Sequence, residues 1–153
     1  MKKLLFCGLA LLMVGCSTAT TYHAKNFLGE GYGDYRLSVD QFTITFRANE
    51  DTDPEDVRRF ALRRASEVAT NYGYRYFVIE NERDLTRVQT VKSEEERVST
   101  FLDLLEEKRR PEKRVIKKVR EVESPAIELT IRCYNEKPKR SVIDAYQFLA
   151  YQV

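Results

Sequence analysis

Apolar and polar residues alternate strictly along two stretches of this chain, Gln41 to Ala48 and Ala126 to Tyr134. Phe42, Ile44 and Phe46 share one parity in the first, and Ile127, Leu129, Ile131 and Cys133 share one in the second. Each stretch therefore predicts a strand with one buried face. Between them the period changes. Val57, Phe60, Ala61, Ala65, Val68, Ala69 and Tyr72 recur at steps of three and four, which predicts one buried face of a helix, with Arg59, Arg63 and Glu67 on the solvated side. Asp53-Pro54 fits the start of that helix, because Asp accepts from orphan N–H groups and Pro lacks the N–H that would go unpaired. Glu55 and Asp56 suit the positive end of the helix dipole, and Glu55 with Arg59 has the spacing of an i,i+4 ion pair. Gly73 is the expected stop, since it takes up a left-handed conformation without a Cβ clash. From Tyr74 to Ile79 the run is rich in β-formers on both parities, as in a strand near the centre of a sheet. Strand, helix and strand form one βαβ-like unit, whose crossover is right-handed if the strands pair in parallel.

The flanking segments complete an α+β fold. An edge strand is expected around Tyr32 to Leu37. Near the end of the chain, Ser141 and Asp144 cap a last helix that buries Val142, Ala145, Tyr146 and Leu149. The predicted architecture is a two-layer sandwich, with a small, mostly antiparallel sheet of about three to five strands and helices mainly on one face. Residues 29–153 form a single domain, interrupted at about 83–123 by a charged insertion expected to be helical. Within it Ser93-Glu94-Glu95-Glu96 fits a capping box, and Val98, Phe101, Leu102 and Leu105 make an apolar stripe before Pro111. From 113 to 123 the valines fit a second helix or an alternating strand equally well.

The first sixteen residues bear on compartment. Met1-Lys2-Lys3 is a positive start, Leu4 to Val14 is apolar but too short to cross a bilayer, and Gly15-Cys16 follows. Met13-Val14-Gly15-Cys16 resembles the lipobox that ends bacterial lipoprotein signal peptides, with Met where Leu is usual. The resemblance implies that residues 1–15 are cleaved and that the Cys16 thiol carries a diacylglycerol, with fatty acyl groups such as palmitate. Residues 16–28 are then the lipidated cysteine and a tether. Ser17 after the cysteine suits sorting to the outer membrane, facing the periplasm. Stable anchoring requires more than one acyl chain, since a single one binds with K of only about 10⁴ M⁻¹.

Removing that segment changes the charge. The whole chain has 26 basic and 24 acidic side chains, but Lys2 and Lys3 lie in the signal and no acid does, so the mature chain balances at 24 of each. No net field invites nucleic acid. Of the three cysteines, Cys7 is lost and Cys16 acylated, which leaves Cys133 without a partner inside the chain.

Little else points to chemistry. His23 is the single histidine and lies in the tether with no clustered partner, which argues against both a Ser-His-Asp triad and a zinc site. Gly29-Glu30-Gly31-Tyr32-Gly33 lacks the lysine and the helix of a phosphate loop. The cluster Lys108-Arg109-Arg110 and Lys113-Arg114 is diluted by neighbouring glutamates, which weakens any lipid or phosphate role. Cys133 shares parity with core residues and has no histidine to activate it. A hydrolase would need paired carboxyl groups about 5–10 Å apart, and no acid pair here is spaced to suggest them. The expectation is a non-catalytic protein without cofactor or metal.

Two resemblances extend this reading. Gly31-Tyr32, Phe42 to Asn49, Leu62 to Glu67 and Gly73 to Phe77, together with the signal, resemble an uncharacterised family of small proteobacterial lipoproteins, which brings a compartment and a fold but no site residues. Leu62-Arg63-Arg64-Ala65-Ser66-Glu67-Val68 is similar to the helix of peptidoglycan-binding domains of the outer-membrane-protein-A type. That similarity implies that Arg64 grips a peptide carboxylate, although the Thr-Asp strand end of that family is missing. The leading expectation is an envelope lipoprotein that docks a protein partner through Val98, Phe101, Leu102 and Leu105, in assembly or maintenance of the cell envelope. Peptidoglycan or lipid binding is the alternative.

Overall fold

A computed structural model describes residues 18–96 and 115–151. Its elements run β1 (Gly31–Arg36), β2 (Gln41–Arg47), α1 (Pro54–Asn71), β3 (Tyr76–Asp84), β4 (Arg87–Glu96), β5 (Val115–Ser124), β6 (Ala126–Tyr134), β7 (Ile143–Asp144) and α2 (Ala145–Ala150). The fold is α+β, with a five-stranded antiparallel sheet in the order β1-β2-β6-β3-β7 and a separate pair, β4-β5. β2 and β3 run in the same direction but do not pair, because β6 lies between them and is antiparallel to both. The strand-helix-strand unit is thus split by the last long strand.

The core lies on one face of the sheet. Phe42, Ile44 and Phe46 of β2, Phe77 of β3, and Leu129, Ile131 and Cys133 of β6 are buried against Val57, Ala61, Ala65, Val68 and Ala69 of α1. The three phenylalanines each contribute about 1.5–3 kcal/mol by leaving water. α2 packs beside α1 and buries Ala145. Two further residues widen the buried stripe of α1: Leu62, and the polar Ser66, whose hydroxyl donates to the Leu62 carbonyl at 2.9 Å. Tyr72, expected inside, is half exposed at the rim, where its ring takes the Arg36 guanidinium at 4.7 Å.

Both ends of α1 follow local chemistry. Asp53 Oδ1 accepts from the Glu55 N–H at 2.7 Å. Gly73, at φ 83°, donates to Thr70 O, and Tyr74 N–H reaches back to Ala69 O, so the last carbonyls are paired as in a Schellman ending. Arg59 pairs with Asp56 at 2.7 Å rather than with Glu55, one turn-step closer. α2 starts later than the sequence suggested. Asp144 alone caps it, accepting from Gln147 N–H, because Ile143 and Asp144 are held as the edge strand β7 against Tyr76 and Phe77. Tyr146 therefore points outward, and Phe148 packs on the core instead.

The charged insertion differs most from expectation. Residues 87–96 and 115–124 are strands, so the capping-box reading of Ser93 to Glu96 does not hold, and 115–123 is strand rather than helix. The cause is register. Asn81 opposes Thr130, Asp84 opposes Ile127, Arg87 opposes Ser124, and Glu96 opposes Val115. No residue is gained or lost between the sheet and the β4-β5 pair, so the β3-β6 pairing continues outward as one ribbon. Outward of the register shift between Ile79 and Asn81, the ladder is broken at Leu85-Thr86, where the opposing Pro125 cannot donate. Even there Leu85 N–H reaches Ala126 O at 2.8 Å. Ten residues per strand at about 3.4 Å each make an arm of roughly 34 Å.

The presumed tether is also ordered from Thr18. Thr20 N–H donates to the Thr52 hydroxyl at 2.8 Å, Asn49 N–H donates to the Thr20 hydroxyl at 3.0 Å, and Asn49 Nδ2 donates to Thr18 O at 2.7 Å. His23 and Lys25 then bond the outer edge of β1 through Tyr32 N–H and Tyr32 O. Residues 18–26 therefore belong to the domain, as a strap along the edge strand.

Candidate functional site

Two regions carry the residues that the sequence singled out. The first surrounds Arg64. One turn of α1 presents Arg63, Arg64 and Glu67 towards β1 and the strap, because α1 crosses the sheet above Tyr32 and Asp34. Arg64 Nε and a terminal nitrogen reach Asp34 Oδ1 at 2.9 and 2.8 Å, and NH1 reaches Glu67 Oε2 at 3.1 Å. Its guanidinium carbon lies 4.4 Å from the Tyr32 ring centroid. Glu67 also accepts from Arg63 Nε at 3.2 Å and from the Tyr22 hydroxyl. Arg63 in turn covers the Tyr22 ring at 4.2 Å.

Burial and electrostatics in this cluster oppose each other. Burial, and then the hydrogen bond to anionic Glu67, hold the Tyr22 phenol far above the ordinary tyrosine range. For Arg64 burial works against the charge, but Asp34 and Glu67 outweigh it and raise its value. The arrangement is a closed set of charges and rings. Arg64 commits donors on all three nitrogens within the chain, and one face of its plane lies over Tyr32. Glu67, expected on the solvated side, is half-buried beneath the strap.

Tyr22 and Asp34 were not anticipated. Tyr22 lies in a polar stretch, yet Thr20 and Tyr22 share a parity and both turn inward, and that spacing was the available signal. His23 sits on the strap with Nδ1 2.7 Å from Ala24 O. Among the described residues no group of His, Cys, Asp and Glu is arranged to hold a metal ion. An open groove of about 370 Å³ lies beside α2, lined by Val142, Ile143, Asp144, Gln147, Phe148 and Tyr151. Its one carboxylate, Asp144, is occupied by capping α2 and by Arg75 at 3.0 Å.

The second region is the ribbon. Neither β4 nor β5 packs broadly on any other described element. Val88, Val91 and Val119 stand 59%, 48% and 59% exposed, so the ribbon has no buried face of its own along the described side chains. Among the described residues, the ion pair from Arg120 to Glu50 at 2.8 Å links it to the β2-α1 loop. The partner residues Val98, Phe101, Leu102 and Leu105 lie outside the described residues, as does Cys16. In chain order the four fall between Glu96 and Val115, the register pair farthest from the sheet.

No protein family, no curated protein and no solved structure matches this chain.

Proposed function

We propose that the chain is a non-catalytic lipoprotein of the outer membrane, anchored through Cys16 and facing the periplasm, whose ribbon holds a docking segment for another envelope protein. The observation that carries the reading is the ribbon. It continues the register of the sheet for ten residues per strand, and none of its described side chains is buried. Isolated two-stranded ribbons are marginal in water, so one of this length gains most from a surface against which it packs. Val98, Phe101, Leu102 and Leu105 supply apolar groups at the far end of the chain path, as anchors in a partner groove would require.

The peptidoglycan alternative loses support at Arg64. A peptide carboxylate would have to displace Asp34 or Glu67 from a partly buried pair, leaving one carboxylate without its cation. No reaction is proposed.

The test is in-cell photocrosslinking with the probe at Phe101 and a control at Arg59 on α1. A discrete protein adduct from Phe101 alone supports docking by the arm and identifies the partner. Adducts from neither position, or equal smears from both, overturn it. Anchoring is checked separately, because Cys16→Ser is expected to release the protein from washed membranes.

A further inference from the structure

The turn between the strap and β1 presents an unusual pair of side chains. Phe27 is 94% exposed and Leu28 68% exposed, although the backbone beneath them is firmly held. Asn26 Oδ1 accepts from Leu28 N–H at 2.9 Å and Glu30 N–H at 3.0 Å, Asn26 N–H donates to Glu30 O, and Gly29 N–H donates to Asn26 O. Gly29 takes φ 86°, which a side chain would strain. A rigid turn that offers Phe-Leu to water loses the free energy of two large apolar side chains unless something covers them.

The position of the turn indicates what does. Thr18 O is fixed by Asn49 Nδ2, and a single residue separates Thr18 from Cys16. Two extended residues span about 7 Å, so an acyl chain on Cys16 holds this corner of the domain against the headgroups. The Phe27-Leu28 turn belongs to the same corner, because the Thr20 hydroxyl lies 3.4 Å from Glu30 Oε2 and Glu30 leads directly into Gly31. Lys25, exposed at the base of the turn, supplies a cation suited to lipid phosphates.

We infer that the Asn26–Glu30 turn is a second membrane contact, which places Phe27 and Leu28 in the lipid interface beside the anchor. The contact rests on acylation of Cys16. With the anchor it orients the domain, because Asn49, Pro125 and the root of the ribbon lie at this end of the sheet, while the Leu37–Asp40 loop lies at the other.

The chain contains no tryptophan, so one substitution reports on one place. The acylated protein carrying Phe27→Trp is reconstituted into phosphatidylethanolamine–phosphatidylglycerol vesicles, with Val39→Trp, 71% exposed at the opposite end, as the reference. The expected result is blue-shifted emission from position 27, quenched by headgroup-proximal brominated lipid and protected from aqueous iodide, with the reverse at position 39. If the protein sediments with vesicles but position 27 is quenched by iodide as strongly as position 39, the contact is overturned and the anchor stands. If the protein stays in the supernatant, the anchor fails and the contact with it. For a chain with Cys16→Ser, Phe27→Ser is expected to weaken residual vesicle binding about tenfold, the scale for a large apolar side chain leaving water.

Discussion

Gly31 shows how one residue fixes the strap to the sheet. Its φ is 102°, and a Cβ there would lie 2.6 Å from His23 O, 2.7 Å from His23 Nδ1 and 2.8 Å from Ala24 O. These are largely backbone atoms of the strap and cannot move aside singly. Gly73 has φ 83°, but nothing lies within 4 Å of the position a Cβ would take. Gly73→Ala should therefore cost only the left-handed backbone penalty, about 1–2 kcal/mol. Gly31→Ala adds the clash and should cost more, with protease cutting between residues 18 and 26 as the strap lifts; urea midpoints and limited proteolysis of the two variants measure the difference. Cys133 makes the second residue-scale prediction. Burial, reinforced by the Asp40 charge, pushes its thiol from an ordinary value of 9.0 up to about 12. Below pH 9 both folded and unfolded chains keep the proton, and nothing is lost. Between pH 9 and 12 only the unfolded chain ionises, so stability falls as pH rises, by at most about 1.4 kcal/mol per pH unit. Tyr22, raised above its ordinary 10.0, adds loss of the same sign from that pH upward. Cys133→Ala should flatten the part of the decline that begins at pH 9 in urea midpoints against pH, whatever its own stability, and an unchanged slope would remove the thiol as the cause.

At the scale of elements, legibility followed burial. β2, α1 and β6 each press a face on the core, so the positions that burial selects repeat at two or at 3.6, and their bounds were readable from Phe42, Ala61 or Leu129. The described side chains of the ribbon form no such face. Val115, Val119 and Val122 are spaced for a helix, and the lysines between them fit either reading, because none of the described β5 side chains is buried in a way that selects one period. Its strand state is set by non-local pairing in register with β3 and β6, which a linear reading does not register. The strap was missed for a related reason, since its polar hydroxyls are buried only by meeting Thr52, Asn49 and Glu67 from distant parts of the chain. A two-stranded ribbon whose backbone bonds face solvent should open at lower free energy than the sheet. Hydrogen exchange followed by mass spectrometry should show peptides from 87–92 and 119–124 exchanging well before those from 42–46 and 127–133, in the protein without a partner. Equal protection would mean that the ribbon is stabilised by packing beyond the described residues.

On the scale of the whole molecule, the fold separates its stable part from its reach. The last long strand enters between β2 and β3, so the ribbon grows from the centre of the sheet rather than from an edge, and whatever it holds is tied to the core by two covalent strands that keep one register from Asn81 outward. That geometry lets the removal of residues 97–114 test what they contribute. Glu96 and Val115 are directly opposed, which is the arrangement that a two-residue Asn-Gly turn closes. A chain with 97–114 replaced by Asn-Gly should fold, with a urea midpoint unchanged or modestly raised, because a shorter loop costs less entropy to close. It should also lose the partner: a photocrosslinking probe at Val91 or Val119, both on the ribbon that remains, should give an adduct in the natural chain and none in the shortened one. A shortened chain that fails to fold would place 97–114 in the structural core. One that folds and still captures the partner from Val91 would move the docking surface onto the strands themselves, whose exposed valines would then be the contact.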